Sequence, residues 1–216
     1  AVGPVSLSFD RKTRFVRKWL TAFTAALLIA IPFLIWDMMV AGSHWNFNPA
    51  YISGYTLFGL PIEEWLFFLT VPFACLFLWE VVSNASEEKL LSETLHRSLR
   101  YSTIILSAVG GAIAVFQGLT YTAMALIAVV IVAALDNILK AQILRRRSFY
   151  QFSGLLLLLI AGFNGYLTAR PVVTYNPDVI TNLRLGSIPA EDFFYGFALI
   201  SGAVILYEKL KEVRHA

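Results

Sequence analysis

Two short stretches, Pro61-Ile62-Glu63-Glu64 and Pro189-Ala190-Glu191-Asp192, each place adjacent carboxyl groups just after a proline. Proline at the first helical position and acids in the first turn suit a helix N-terminus, where the dipole favours negative charge. On that ground alone the acids would be structural. Each pair, however, opens an apolar run long enough to cross a bilayer: residues 61–82 extend roughly 33 Å at 1.5 Å per residue. The acids therefore start at the edge of the hydrocarbon layer, where an unpaired charge costs several kcal/mol. Carboxyl groups crowded together out of water resist ionisation. One can then keep a proton at neutral pH and act as an acid while a neighbour acts as base. Glu63, Glu64, Glu191 and Asp192 are the candidate catalytic residues, and their duplication favours this reading over capping.

Further candidates stand nearby. Asp37 lies near the end of the preceding apolar run, and Asn164 occupies the nearly equivalent place in the second half. Both are candidate substrate contacts, with equal weight on Asp37 as an interfacial residue bonded to a loop. Trp65, Phe67, Phe68, Phe193, Phe194 and Tyr195 surround the acids; ring faces attract cations, so some could stabilise a carbocation, and the rest belong to an interfacial belt. Asn48 and Asn176, each followed by proline, are read as builders of loop turns.

The elements that must position these residues are membrane helices. The chain of 216 residues is 58% hydrophobic and only 14% charged, against roughly 25% charged in soluble domains. Six apolar runs are predicted to span a bilayer, at 19–41, 61–82, 101–117, 120–139, 149–169 and 189–210; the run 101–117, with Gly110 and Gly111, is the weakest. Fifteen of the 17 basic residues fall on one side of these spans, from Arg11, Lys12 and Arg14 to Lys209, Lys211 and Arg214. That side is expected to be cytoplasmic, with the C-terminus, and the membrane to be the cell membrane. Because the net charge of +3 follows topology, a nucleic-acid partner is excluded; Cys75, the only cysteine, excludes a disulfide scaffold.

A shift of 128 residues superposes the two halves. Asn48-Pro49 falls on Asn176-Pro177, Pro61 on Pro189, Glu63 on Glu191, Glu80 on Glu208, Lys12 on Lys140 and Arg17 on Arg145. The expectation is an all-α membrane bundle of two parallel three-helix repeats, 1–98 and 119–216, joined by a linker helix at 99–118. The repeat further predicts a first helix of which only residues 1–9 are present, making seven spans in all.

Absences narrow the chemistry. There is no G-x-G-x-x-G, no P-loop and no Cys/His metal-ligand spacing. His44, His96 and His215 are read as isolated residues of loops or tail. No Asp-rich motif exists to hold magnesium and a diphosphate, and no lysine lies between Pro189 and Glu208 to form a retinal Schiff base. Proton chemistry on an apolar substrate, with no metal and no cofactor, is what remains.

The stretches Phe47-Asn48-Pro49, Leu60-Pro61-Ile62-Glu63-Glu64-Trp65-Leu66-Phe67-Phe68 and Ile188-Pro189-Ala190-Glu191-Asp192-Phe193-Phe194-Tyr195-Gly196 resemble the membrane-embedded lycopene cyclases. These occur as two small subunits, as one fused chain, or as part of a bifunctional enzyme. The resemblance covers nearly the whole chain. It implies cyclisation of the linear ψ-ends of lycopene to β-ionone rings, giving γ- or β-carotene: protonation at C2, ring closure and loss of the C6 proton, an isomerisation with no net redox. By position it carries over Glu63, Glu64, Glu191 and Asp192 as the acidic motif; Glu63 and Glu191, identical in both halves, are expected to face the substrate, and their neighbours to bind the loops. The partners implied are lycopene or a related linear carotenoid and the bilayer, with a homo-oligomer or contact with other carotenoid enzymes left open. Alternatives are a cyclase of C50 carotenoids, a small transporter and a non-catalytic carotenoid- or retinal-binding protein.

Overall fold

The computed structural model describes residues 2–10, 14–85 and 87–215. Among them are seven α-helices: α1 Val2–Leu7, α2 Trp19–Val40, α3 Ile62–Ala85, α4 Glu93–Phe116, α5 Thr120–Ile138, α6 Arg147–Ala169 and α7 Ala190–His215. Helices α2 to α7 are each long and apolar enough to cross a membrane. A helix satisfies its own backbone N–H and C=O groups, which hydrocarbon cannot do; Pro32 and Pro72 inside α2 and α3 each remove one such bond, a loss that packed membrane helices tolerate. The weakest predicted span proves to be longer than its apolar run. Helix α4 starts at Glu93, where the Ser92 side chain caps it by accepting the Leu95 N–H at 3.3 Å. This helix therefore begins before residue 99. Arg11 and Lys12, counted above with the basic side, lie outside the described residues.

Helices α3 and α7 meet at the centre; α2 and α6 each pack on both, α5 runs along α7, and α4 lies outside on α5. Small residues make the closest approach. A Cβ on Gly202 of α7 would stand 2.6 Å from Ile29 Cδ1 of α2, so only glycine lets these two helices pack at this separation. The core between them is aliphatic and aromatic, including Ala25, Leu76, Val132, Leu199 and Val204.

At one end of the bundle, here the loop end, the chain builds two matching caps. Strands β1 Trp45–Phe47 and β4 Val173–Tyr175 pair antiparallel, with Asn46 opposite Thr174. The hairpins β2 Thr56–Leu57 with β3 Leu60–Pro61, and β5 Arg184–Leu185 with β6 Ile188–Pro189, deliver each chain to the start of α3 or α7. Each cap element recurs 128 residues on, including the 3-10 turns Pro49–Tyr51 and Pro177–Val179. The two-residue turns need positive φ, which Phe58 and Gly59 adopt in one hairpin (51° and 81°) and Gly186 in the other (62°). The two Asn-Pro pairs are turn builders, as expected: Asn48 Oδ1 accepts the Ala50 N–H and Asn176 Oδ1 the Asp178 N–H, both at 3.0 Å. They also tie the caps together, because Asn48 Nδ2 donates to Pro171 O and Asn176 Nδ2 to Ser43 O.

The opposite, basic end holds a cluster that the sequence did not reveal. Glu80 of α3 accepts from Tyr207 Oη and Lys211 Nζ of α7, both at 2.7 Å, and from Lys18. Glu208 of α7 accepts from Trp79 Nε1 of α3 at 2.9 Å, Arg146 at 3.1 Å and Lys211 at 2.7 Å. The donors are exchanged between the two halves, so the cluster locks α3 to α7. His96 is also not a loop residue: it belongs to the first turn of α4 and is buried.

Candidate active site

The four motif acids divide by the direction in which the first helical turn points them. Glu63 Oε1 accepts the Ser53 N–H at 2.8 Å. Glu191 Oε1 accepts the Thr181 N–H and hydroxyl, both at 2.8 Å, and the Thr122 hydroxyl at 2.6 Å. Ser53 and Thr181 are themselves 128 residues apart, so both acids anchor the loop that precedes their own helix. Adjacent helical residues point about 100° apart, so the second acid of each pair meets different partners; Glu191, which also bonds Thr122 of α5, is as fully buried as Asp192. The expectation that Glu63 and Glu191 face the substrate while their neighbours bind the loops thus meets the reverse arrangement.

Asp37 of α2 and Glu64 of α3 lie close enough to act on each other electrostatically. Two carboxyl groups can hydrogen-bond each other only when one of them carries a proton. Tyr195 of α7 donates its hydroxyl to Asp37 at 2.8 Å. Asp37 is 2% exposed, and its polar contacts are with helices α3 and α7, which sets aside the loop-bonded alternative. Asp192 is 4% exposed and accepts from three donors: Tyr121 Oη at 2.8 Å, Tyr175 Oη at 2.8 Å and Asn164 Nδ2 at 3.1 Å. Three donors match an ionised, acceptor-only carboxylate. Glu64, Asp37 and Asp192 all act electrostatically on Tyr195 and Tyr175, so the three form one site. Burial and the Asp192 charge push the phenol of Tyr175, in the loop, well above its ordinary value; it remains a donor.

Aromatic rings enclose this site. Tyr121 stacks on Tyr175 with centroids 6.0 Å apart, Trp45 crosses Tyr121 at 5.2 Å, and Phe33 meets Tyr195 edge-on at 4.9 Å. Just outside, His44 bonds Thr120 through Nε2 at 2.7 Å, and partial burial lowers its imidazole from the ordinary value. Among the described residues no three His, Cys, Asp or Glu side chains converge as metal ligands.

A family model described as lycopene cyclase matches residues 1–82 and 118–210. The chain belongs to the lycopene cyclase family. The matched segments flank α4 and include both acid pairs, all three tyrosines and both caps. No curated protein and no solved structure matches the chain. The aromatic candidates divide by where the fold places them. Phe68 is buried against Phe33 and belongs to the wall under Asp37. Phe67 and Phe193 pack on the core, and Tyr195 is part of the acid cluster. Trp65 instead donates Nε1 to Leu57 O at 3.1 Å and holds the hairpin, while Phe194 is 45% exposed on the outer surface. Asn164 is brought to Asp192. Tyr121, Tyr175 and Trp45 were not picked out from sequence; the available signal was a tyrosine opening an apolar run and another just before Asn176-Pro177.

Proposed function

We propose that this cyclase converts the ψ-ends of lycopene, or a related linear carotenoid, to β-rings, with the Asp37–Glu64 pair as acid and Asp192 as base. What supports the reading is the asymmetry of the cluster: Asp37 and Glu64 lie close enough to act on each other and in this reading share one proton, while Asp192 is held by three donors. The proton passes to C2 of the end group, leaving a tertiary cation at C1. The C5=C6 bond attacks C1 through C6, which closes the ring and moves the charge to C5. Loss of the C6 proton restores the double bond at C5–C6. One proton is taken from the pair and one is delivered to the base, so no electrons are exchanged. A carbocation in an apolar pocket is destabilised unless fixed dipoles and ring faces offset the missing water. Tyr121 and Tyr195 offer such faces, and their hydroxyls keep the carboxylates aimed. Transfer from Asp192 by way of the tyrosines to Asp37 and Glu64 returns the proton before the second end is processed.

The basic excess sets the orientation: Lys18, Arg146 and Lys211 face the cytoplasm with the C-terminus, and the acids lie toward the outer face of the cell membrane. The test is cyclisation in deuterium oxide by the full chain in membranes supplied with lycopene. The expected product carries one deuterium at C2 for each ring closed, with no reductant or oxidant added. Rings formed without deuterium would refute acid catalysis.

A further inference from the structure

A cavity of about 160 Å³ lies between α4, α5, α6 and α7, walled by Val129 and Val132 of α5, Phe149 and Ser153 of α6, and Phe197 of α7. The last three of these helices also carry Tyr121, Asn164 and Asp192 at their loop end. Helices α5 and α6 both pack along α7 but not along each other, so a cleft runs between them with α7 as its floor. Ser153 lies about three turns from Asn164 on α6, and Val132 about three turns from Tyr121 on α5. Each is on the same face as its partner and roughly 16 Å away. The cavity is therefore in line with Asp192. The Ser153 hydroxyl is spent on Phe149 O within its own helix at 2.8 Å, so the side formed with Val129, Val132 and Phe197 is apolar, while His96, Arg100 and Thr103 of α4 and Tyr150 of α6 line the rest. At the far end Arg100 bonds Asn137 at 2.7 Å and lies over the ring of Tyr101. Apolar side chains of α5, α6 and α7 thus run between the Asp192 end and the cavity that Arg100 lines, and apolar contact is what a hydrocarbon polyene requires. The rims are α4 and α6, the least buried of the spanning helices.

We propose that this cleft binds the polyene chain of the substrate, with the end group at Asp192 and the remainder running toward Arg100. The substrate enters sideways from the bilayer between α4 and α6. This rests on the cyclase reading, and the test keeps the two apart by measuring binding as well as product. Ser153→Trp fills the cavity, and Leu158→Trp, on the exposed surface of α6, is its control. Both are made in the full chain, alone and with Glu64→Gln, in a lycopene-accumulating host. Expected is a loss of at least tenfold in cyclic product, and in lycopene co-purifying with the Glu64→Gln protein, for Ser153→Trp only. A second readout avoids the bulky side chain. Ser153→Cys should be shielded from maleimide by bound lycopene, with buried Cys75 as the silent background. Undiminished product from well-folded Ser153→Trp, or alkylation of Ser153→Cys indifferent to lycopene, would overturn the cleft. Lycopene bound in a Ser153-dependent manner without any ring formed by the wild type would uphold the cleft and sink the cyclase chemistry.

Discussion

Replacing Glu64 and Glu191 by glutamine in turn separates proton transfer from loop anchoring. At Glu64 the glutamine amide can still donate to Asp37, in place of the proton that the two carboxyls share in this reading. One hydrogen bond is exchanged for another, so stability should change by less than about 1 kcal/mol, a shift of no more than about 4 °C in Tm for a chain of this size. An amide has no transferable proton, and a positioned general acid contributes roughly 10²–10⁴-fold; product formation should fall by about that factor. At Glu191 the expectation is opposite. Its Oε1 takes three hydrogen bonds, from Thr122 and Thr181, and glutamine keeps an acceptor oxygen there but removes the charge. Bonds to charged groups are worth about 1.5–3 kcal/mol against about 1 for neutral ones, so the substitution costs on the order of 1–3 kcal/mol. Tm should drop by several degrees while activity per folded molecule stays within about tenfold of wild type. The assay is chromatographic separation of linear and cyclic carotenoids from membranes of matched protein content, beside thermal unfolding in detergent. A Glu191→Gln protein of wild-type Tm that makes no rings, beside an active Glu64→Gln protein, would refute the division of labour.

Three further outcomes follow from the geometry. Tyr195→Phe removes the only hydroxyl bonded to Asp37 among the described residues and should slow ring closure about tenfold or more at nearly unchanged Tm, read by initial rates. Gly202→Val should lower Tm through overpacking by about 1–3 kcal/mol, and Ile29→Ala should restore part of it; an additive loss in the double variant would contradict the contact between them. Glu80→Leu leaves Lys18 and Lys211 facing each other without their shared carboxylate. Since both lysines keep some solvent contact, the cost should be about 2–4 kcal/mol rather than the full value for a buried pair, measured by chemical denaturation.

The sequence made the acid motif legible because proline and paired carboxyls stand out against a hydrophobic background, and their recurrence made chance a poor account. It could not say which acid of each pair faces inward. Identity between Glu63 and Glu191 pointed to those two, but identical residues also result when both halves need the same loop anchor, as Ser53 and Thr181 require. The inward residues instead differ, Glu64 against Asp192, because the two halves contribute different groups to one site. Tyr121 and Tyr175 were hidden for a related reason: the counterpart of Tyr175 is Phe47, and both tyrosines reach Asp192 only through the tertiary fold. At the basic end, Trp79 and Tyr207 exchange partners across the bundle, which no reading of one helix at a time reveals. Helix α4 was placed too late because its first two turns are polar, and helical propensity with a serine cap carries it where hydropathy does not.

The pairing of Asn46 with Thr174 has a consequence for how the polypeptide could be divided. The ladder, the crossed asparagine bonds and the exchanged Trp79–Glu208 and Tyr207–Glu80 contacts are all made between the two halves, whereas α4 alone connects them along the chain. Two polypeptides severed ahead of α4 would therefore still carry between them the surfaces through which the halves meet. Neither would be half as active as the whole, because Asp37 and Glu64 sit on one and Tyr195, Tyr121 and Asp192 on the other. Reassembly would be the switch that creates the enzyme.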